Sequence, residues 1–185
     1  MHTANQVMNR KLKLHELNRL SIDGYKQAEK IPVIVVLDNI RSLSNVGSIF
    51  RTADCFGIEA IYLCGITAKP PHREITKTAI GATQSVDWKY YGTTSEAISM
   101  LKKEQYTIAA IEQTKNTQKL SSLRLTKDVK LALVFGNEVE GVEQQVIDAS
   151  DFCLEIVQFG TKHSLNVSVC AGIILSEISN QLRAF

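Results

Sequence analysis

Three short polar blocks hold most of the residues in this chain whose types and spacing could do chemistry. The first is Ser44-Asn45-Val46-Gly47, with Arg51 beyond it. Ser44 or Asn45 can cap a helix, and Gly47 permits close approach of another segment. Arg51 lies almost two turns past Ser44 on the same face, where a guanidinium can grip a phosphate bidentately or bias a neighbouring hydroxyl. A structural pairing of Arg51 with Asp54 or Glu138 fits the same spacing. The second block is Phe135-Gly136-Asn137-Glu138, followed by Glu140 and Glu143. Three carboxylates complement the positive end of a helix and repel phosphate, so this rim suits a cationic or neutral cofactor. No Walker A lysine and no GxGxxG pattern occurs, which disfavours a classical phosphate or dinucleotide site. The third block runs from Ile156 through Gln158 and Gly160 to Ser164, Leu165, Asn166 and Ser168. Backbone groups at such a strand end can read a planar base, and the hydroxyls and amides suit a helix N-terminus, starting at Ser164, held against a ligand or another backbone segment. Ser164, Ser168 and Gly172 also recur every four residues, a stripe that tight helix packing explains equally well.

The elements that must position these blocks alternate along the chain. β-branched or apolar runs predict strands at 33–37, 60–64, 86–91, 107–111, 131–135 and 153–157. Helical patterns cover 44–56, 73–80, 94–103, 139–147 and 164–182. Alternation of this kind predicts an α/β fold, a mostly parallel six-stranded sheet with helices on both faces. Ligands of such sheets bind beyond the carboxyl ends of the strands, and all three blocks fall there. A further helix is expected over 5–21, and 115–130 reads as a long loop.

With 185 residues, 44% apolar and 22% charged, the chain suits one globular domain. Net charge is +2, yet residues 1–30 carry +3 and the remainder −1. This divides a short basic N-terminal helical segment, 1–30, from a domain over 31–185. A basic arm fits a phosphate-rich partner, and a solvated helix face fits it too. Cys55, Cys64, Cys153 and Cys170 form no CxxC pair and read as buried thiols of a reducing compartment. The four histidines show no metal-ligand spacing, so no metal is expected. The longest apolar run, 31–37, is far short of a membrane span, and a cytoplasmic protein is expected.

The three blocks together resemble the signature motifs of the SpoU (TrmH-like) branch of the SPOUT RNA methyltransferases. The first matches through Asn45, Gly47, Arg51, Thr52, Ala53 and Gly57. The second matches through Phe135, Gly136, Asn137, Glu138 and Gly141, and the third through Ile156, Gly160, Ser164, Leu165, Asn166, Val167 and Ser168. The similarity runs in order over about residues 33–180. It implies a C-terminal deep trefoil knot, the SPOUT α/β knot. It also implies S-adenosylmethionine as methyl donor with no metal, a homodimer, and methylation of a ribose 2′-hydroxyl of tRNA or rRNA. Carried over by position, Gly136, Ile156, Gln158, Gly160, Ser164 and Leu165 bind the cofactor. Asn45, Arg51, Glu138, Ser164 and Asn166 form the catalytic neighbourhood. One departure stands in the third block, where the family usually has Pro-Met and this chain has Val157-Gln158.

Two other readings compete. One is a non-catalytic RNA- or cofactor-binding protein with the same fold, which has no need of both Asn45 and Arg51. The other is a generic α/β nucleotide-binding domain, which predicts phosphate-binding glycines after the first strand that this chain lacks.

Overall fold

The computed structural model describes residues 9–184, with the Leu14 side chain excepted. Residues 5–8 of the expected first helix lie outside that range. Within it the chain forms only a 3-10 turn, Leu14–Leu17, and the short helix α1 (Ile22–Gln27). Asn18, left-handed at φ 48°, ends the turn, and the Ser21 hydroxyl caps α1 by accepting from the Gly24 N–H at 3.1 Å. Leu12 and Leu20 remain 58% and 61% exposed, so the apolar spacing of this segment finds no surface that would stabilise one long helix.

From Ile31 the alternation is regular. The strands are β1 (Ile31–Asp38), β2 (Ile58–Cys64), β3 (Asp87–Tyr91), β4 (Thr107–Ile111), β5 (Thr117–Lys119), β6 (Leu131–Phe135) and β7 (Phe152–Glu155). They form one sheet in the order β3-β2-β1-β6-β4-β7-β5, every pairing parallel. The sheet therefore has seven strands, one more than expected. The extra strand is the three-residue edge β5 inside 115–130, too short for any periodicity to mark it.

The helices are α2 (Leu43–Phe56), α3 (Arg73–Ala79), α4 (Ala82–Ser85), α5 (Thr94–Lys103), α6 (Gln144–Ala149) and α7 (Val167–Arg183). The sheet is covered on both faces. Val33, Val35 and Leu37 of β1 pack with α2 and α7, while Ile34 and Val36 pack with α5 and α6 residues. After β7, near one side of the sheet, the chain returns to lay α7 against α2 and central β1.

Two helices start later than their spacing predicts. At 139–147 the Asn137 side chain accepts from the N–H groups of Val139 and Glu140, both at 2.9 Å, and Asn137 and Gly141 exchange backbone hydrogen bonds. That turn, closed by Gly141 at φ 72°, competes with helix and delays α6 to Gln144. The last helix is capped by Asn166 and begins at Val167, so Ser164 lies in the loop before it.

β1 ends on Asp38, fully buried, which accepts from Thr94 Oγ1 (2.5 Å), Asn39 Nδ2 (3.0 Å) and the Glu143 N–H (3.1 Å). Burial raises its carboxyl pKa, and these hydrogen bonds counter only part of that rise. The contact holds the chain entering α6 against the end of the central strand.

Helix α2 is crossed by α3 at Gly47. A Cβ there would collide with Thr78 Oγ1 and the Ile75 carbonyl, and Thr78 Oγ1 donates to the Ser44 carbonyl at 3.1 Å. Replacing a mid-helix glycine by alanine gains up to about 1 kcal/mol in propensity, but overpacking against backbone costs about 1–3 kcal/mol and no rotamer relieves it. Gly47→Ala should therefore lower the unfolding free energy by about 1–2 kcal/mol in urea titration.

Candidate active site

The three polar blocks meet at the carboxyl rim of the sheet through one hydrogen-bonded chain of side chains. Glu138, in the loop after β6, accepts from Asn45 Nδ2 at 2.9 Å and from the Arg41 and Ser42 N–H groups at 3.2 Å each. Asn45 Oδ1 accepts from Asn166 Nδ2 at 3.2 Å. Asn166 Oδ1 in turn caps α7, accepting from the Ser168 N–H at 2.9 Å and the Ser168 hydroxyl at 2.7 Å. Burial raises the Glu138 pKa, but the donors around the carboxylate outweigh it and hold the group below its ordinary value of 4.5. Asn45 does not cap α2; the Ser42 hydroxyl does, accepting from the Asn45 N–H at 3.3 Å. That frees the Asn45 amide for both neighbours.

Beside this chain lies a cleft of about 630 Å³ whose walls include Gly136, Glu138, Ile156, Gln158, Ser164, Leu165 and Asn166. Its size is that of a small-molecule site. Gly136 is packed against the backbone of Gly141 and Val142 so closely that a Cβ would overlap it. Bare main chain therefore forms the floor there. Four carboxylates line the cleft, those of Glu112, Glu138, Glu140 and Glu155, and no lysine or arginine does. Cys170 is also in the wall. Burial pushes its thiol up to about 11, with Glu112 adding to the rise, so it is neutral at physiological pH. Among the described residues no group of three metal-ligating side chains occurs.

Not every residue singled out in the sequence reaches the cleft. Asn45 is buried behind it as the central link. Gly160 sits on the exposed loop, outside the cleft walls. Arg51 is exposed, on the α2 face that carries Ser44 and Cys55, and does not line this cleft. Neither expected acid pairs with it: Asp54 receives the Ser85 hydroxyl, and Glu138 is occupied by Asn45 and the loop amides. Cys55 is exposed too, contrary to its expected burial, because its helical position falls on the same outward stripe.

Sequence reasoning missed Glu112 and Gln113, which follow β4. Glu112 accepts from the Val142 N–H at 3.1 Å and the Gln113 N–H at 2.8 Å, and Gln113 Nε2 donates to the His163 carbonyl at 2.9 Å. They close the cleft from the side opposite Glu138. The signal was available, since they occupy the carboxyl end of a central strand, where ligands of parallel sheets bind.

A sequence model of the SpoU rRNA methylase family matches residues 32–176. A TrmH-family protein of Staphylococcus haemolyticus, whose tRNA/rRNA methyltransferase assignment is itself inferred, is 30% identical over 157 residues, 85% of this chain and 62% of the relative. The chain thus spans less than two thirds of that relative's length. Among solved structures, the TrmH/SpoU tRNA modifying enzyme of A. aeolicus aligns with a TM-score of 0.76 at 26% identity, over 86% of this chain and 79% of that one. The AdoMet-bound rRNA methyltransferase of Sinorhizobium meliloti aligns with a TM-score of 0.75 at 26% identity, over 89% of this chain and 62% of that one.

Two outcomes follow from the geometry. Asn45→Asp places a second carboxylate against Glu138. The variant should lose about 1–3 kcal/mol at neutral pH and recover part of it near about pH 5, where one of the pair takes a proton, whereas Asn45→Ala should show no such recovery. Thermal melts at the two pH values distinguish them. Iodoacetamide at neutral pH should alkylate Cys55 first, Cys170 in the cleft wall more slowly, and Cys64 and Cys153 only once the protein is unfolded, as peptide mapping would read.

Proposed function

The chain belongs to the SpoU rRNA methylase family, and from that premise we propose that it is an S-adenosylmethionine-dependent methyltransferase acting on a ribose 2′-hydroxyl of tRNA or rRNA. The observation that carries the reading is the cleft, closed by the Glu138–Asn45–Asn166 chain, floored by bare backbone at Gly136 and lined by four carboxylates without a lysine or arginine. Such a lining disfavours a nucleoside phosphate and suits a cationic sulfonium donor. The cofactor would supply an electrophilic methyl on a positively charged sulfur. Gly136, Ile156, Gln158 and Leu165 hold the adenosine, chiefly by main chain, so Val157-Gln158 in place of Pro-Met leaves the contact intact.

The residues for the transfer come from two protomers. Leu165 just before α7 and Val169 and Ile173 on its first two turns are 37%, 51% and 40% exposed, and Phe159 in the preceding loop is 95% exposed. A second copy of the chain covers this apolar stripe. Across the two-fold axis Arg51, which lacks an ion-pair partner among the described residues, enters the partner's cleft. A guanidinium is a permanent cation and a poor base. It positions the hydroxyl and an adjoining phosphate and favours the developing alkoxide, while the hydroxyl proton passes to solvent water as the methyl is transferred. Ser164 and Asn166 orient the ribose, and Glu138 keeps the Asn45 amide in register. The neutral Cys170 thiol gives no support for a covalent enzyme–base intermediate.

The same reading carries the trefoil knot, supported by the return of the chain from β7 to α7 and by the clasp of Gln113 on the loop at His163. The basic 1–30 segment adds RNA contacts to the 31–185 domain, and an RNA substrate with free thiols fits a cytoplasmic site. No described helix is long and apolar enough to cross a membrane.

Labelled methyl from the donor should enter RNA with the intact protein; a chain that binds donor and RNA without transfer would be a non-catalytic binder. Arg51→Ala should abolish transfer, with donor affinity changed less than about twofold and stability within about 0.5 kcal/mol. Mixing Arg51→Ala with Gly136→Ala subunits should restore up to about a quarter of the activity, since each mixed dimer regains one complete site. No recovery would place all the catalytic groups in one protomer.

A further inference from the structure

The cleft poses a problem for an RNA substrate: its rim is acidic, and a polyanion needs cations elsewhere. We propose that the turn between β2 and α3, together with the outer face of α3, forms the track that holds the RNA phosphates flanking the target ribose. This rests on the methyltransferase reading above.

Residues 65–80 carry Lys69, Arg73 and Lys77 against a single acid, Glu74. All three cations are exposed, and neither they nor Arg41 enters an ion pair among the described residues. Arg73 and Lys77 are four apart on one face of α3. The opposite face is committed, with Ile75 and Ala79 buried against α2. Lys69 is held in place: its ammonium sits 4.1 Å from the ring centroid of Tyr90, and the Tyr90 hydroxyl donates to the Gly65 carbonyl at 2.9 Å. An aromatic face positions the cation without neutralising it, as a carboxylate would.

Placement relative to the cleft follows from contacts already described. Glu138 receives the N–H groups of Arg41 and Ser42, and the same segment continues to Ser44, whose carbonyl receives Thr78 Oγ1 beside Lys77. The basic face of α3 thus sits on the outer flank of the segment that closes the cleft. Because α3 bears on α2 at Gly47, one turn before Arg51, the track is rigidly tied to the helix that carries the proposed hydroxyl-positioning group. RNA phosphates held on this face would meet cations beside the acidic cleft, leaving the ribose free to enter it. Contacts of this kind hold register and carry no base identity.

The test compares Arg73→Glu/Lys77→Glu with Lys103→Glu/Lys127→Glu, an equal charge change at exposed sites leading into the opposite end of the sheet. Binding of unfractionated tRNA is measured across a salt series without donor, and donor binding is measured calorimetrically without RNA. The track variant should weaken tRNA binding at least about tenfold and reduce the salt slope by about 1–2, with donor affinity unchanged. Its KM for RNA should rise with kcat retained. Lys69→Ala should show a smaller loss in the same direction. Equal tRNA binding by the two double variants would overturn the proposal, as would a track variant that loses affinity for anionic phosphatidylserine vesicles but not for tRNA. Failure of the methyltransferase reading appears separately, as absent donor binding or methyl transfer by the unaltered protein.

Discussion

The hydrogen-bonded chain Glu138–Asn45–Asn166 is the constraint on which the rest of this site depends. It joins loops separated by about ninety and about one hundred and twenty residues in sequence, and each link is a side chain bonded to the next block. The two end members also satisfy backbone donors: Glu138 those of Arg41 and Ser42, Asn166 those at the start of α7. Removing either end would therefore leave backbone groups as well as side chains without partners. A fully satisfied polar network of this kind selects one arrangement of loops, where apolar contacts alone would tolerate several.

The sheet makes that network possible by bringing the loop after β1 beside the loop after β6. Those strands are adjacent in the parallel order, in register from Val33 with Leu131 to Leu37 with Phe135. Buried Asp38 then fastens the chain entering α6 to the end of β1, and Glu112 fastens Val142 to the end of β4. The turn that carries Glu138 is thus held from both neighbouring strands. Rigidity of this loop suits a site that binds through main chain, because backbone donors and acceptors cannot be re-aimed by rotamer changes.

Charge is divided between the cleft and the surface around it. The carboxylates face the pocket, while Arg51 and the α3 cations face outward. The proposed sulfonium donor and polyanionic substrate require opposite fields, and a protein that brings them together must keep those fields apart while leaving the reacting atoms in reach. Net charge near zero hides this division, which exists only in the folded arrangement.

Much of this was legible before folding was considered. Runs of β-branched and apolar residues marked six strands, because strands covered on both faces need continuous apolar sequence, and the order of three polar blocks carried the family. Spacing pointed to Ser164 as the start of α7, whereas in the fold Asn166 is the cap and is bonded to Asn45. Nor could spacing detect β5, whose three residues are a strand only because β7 lies beside them. Asn137 and Gly141 look compatible with a helix start until their side-chain and left-handed backbone preferences close a turn instead. The sequence by itself determined which segments become strands and helices and which residues can donate, accept or carry charge, because those are local properties of each side chain. Which of them meet was decided only by the tertiary structure: hydrogen bonds and close contacts depend on positions to within a fraction of an ångström, and strand order sets those positions across stretches of chain that no local rule connects.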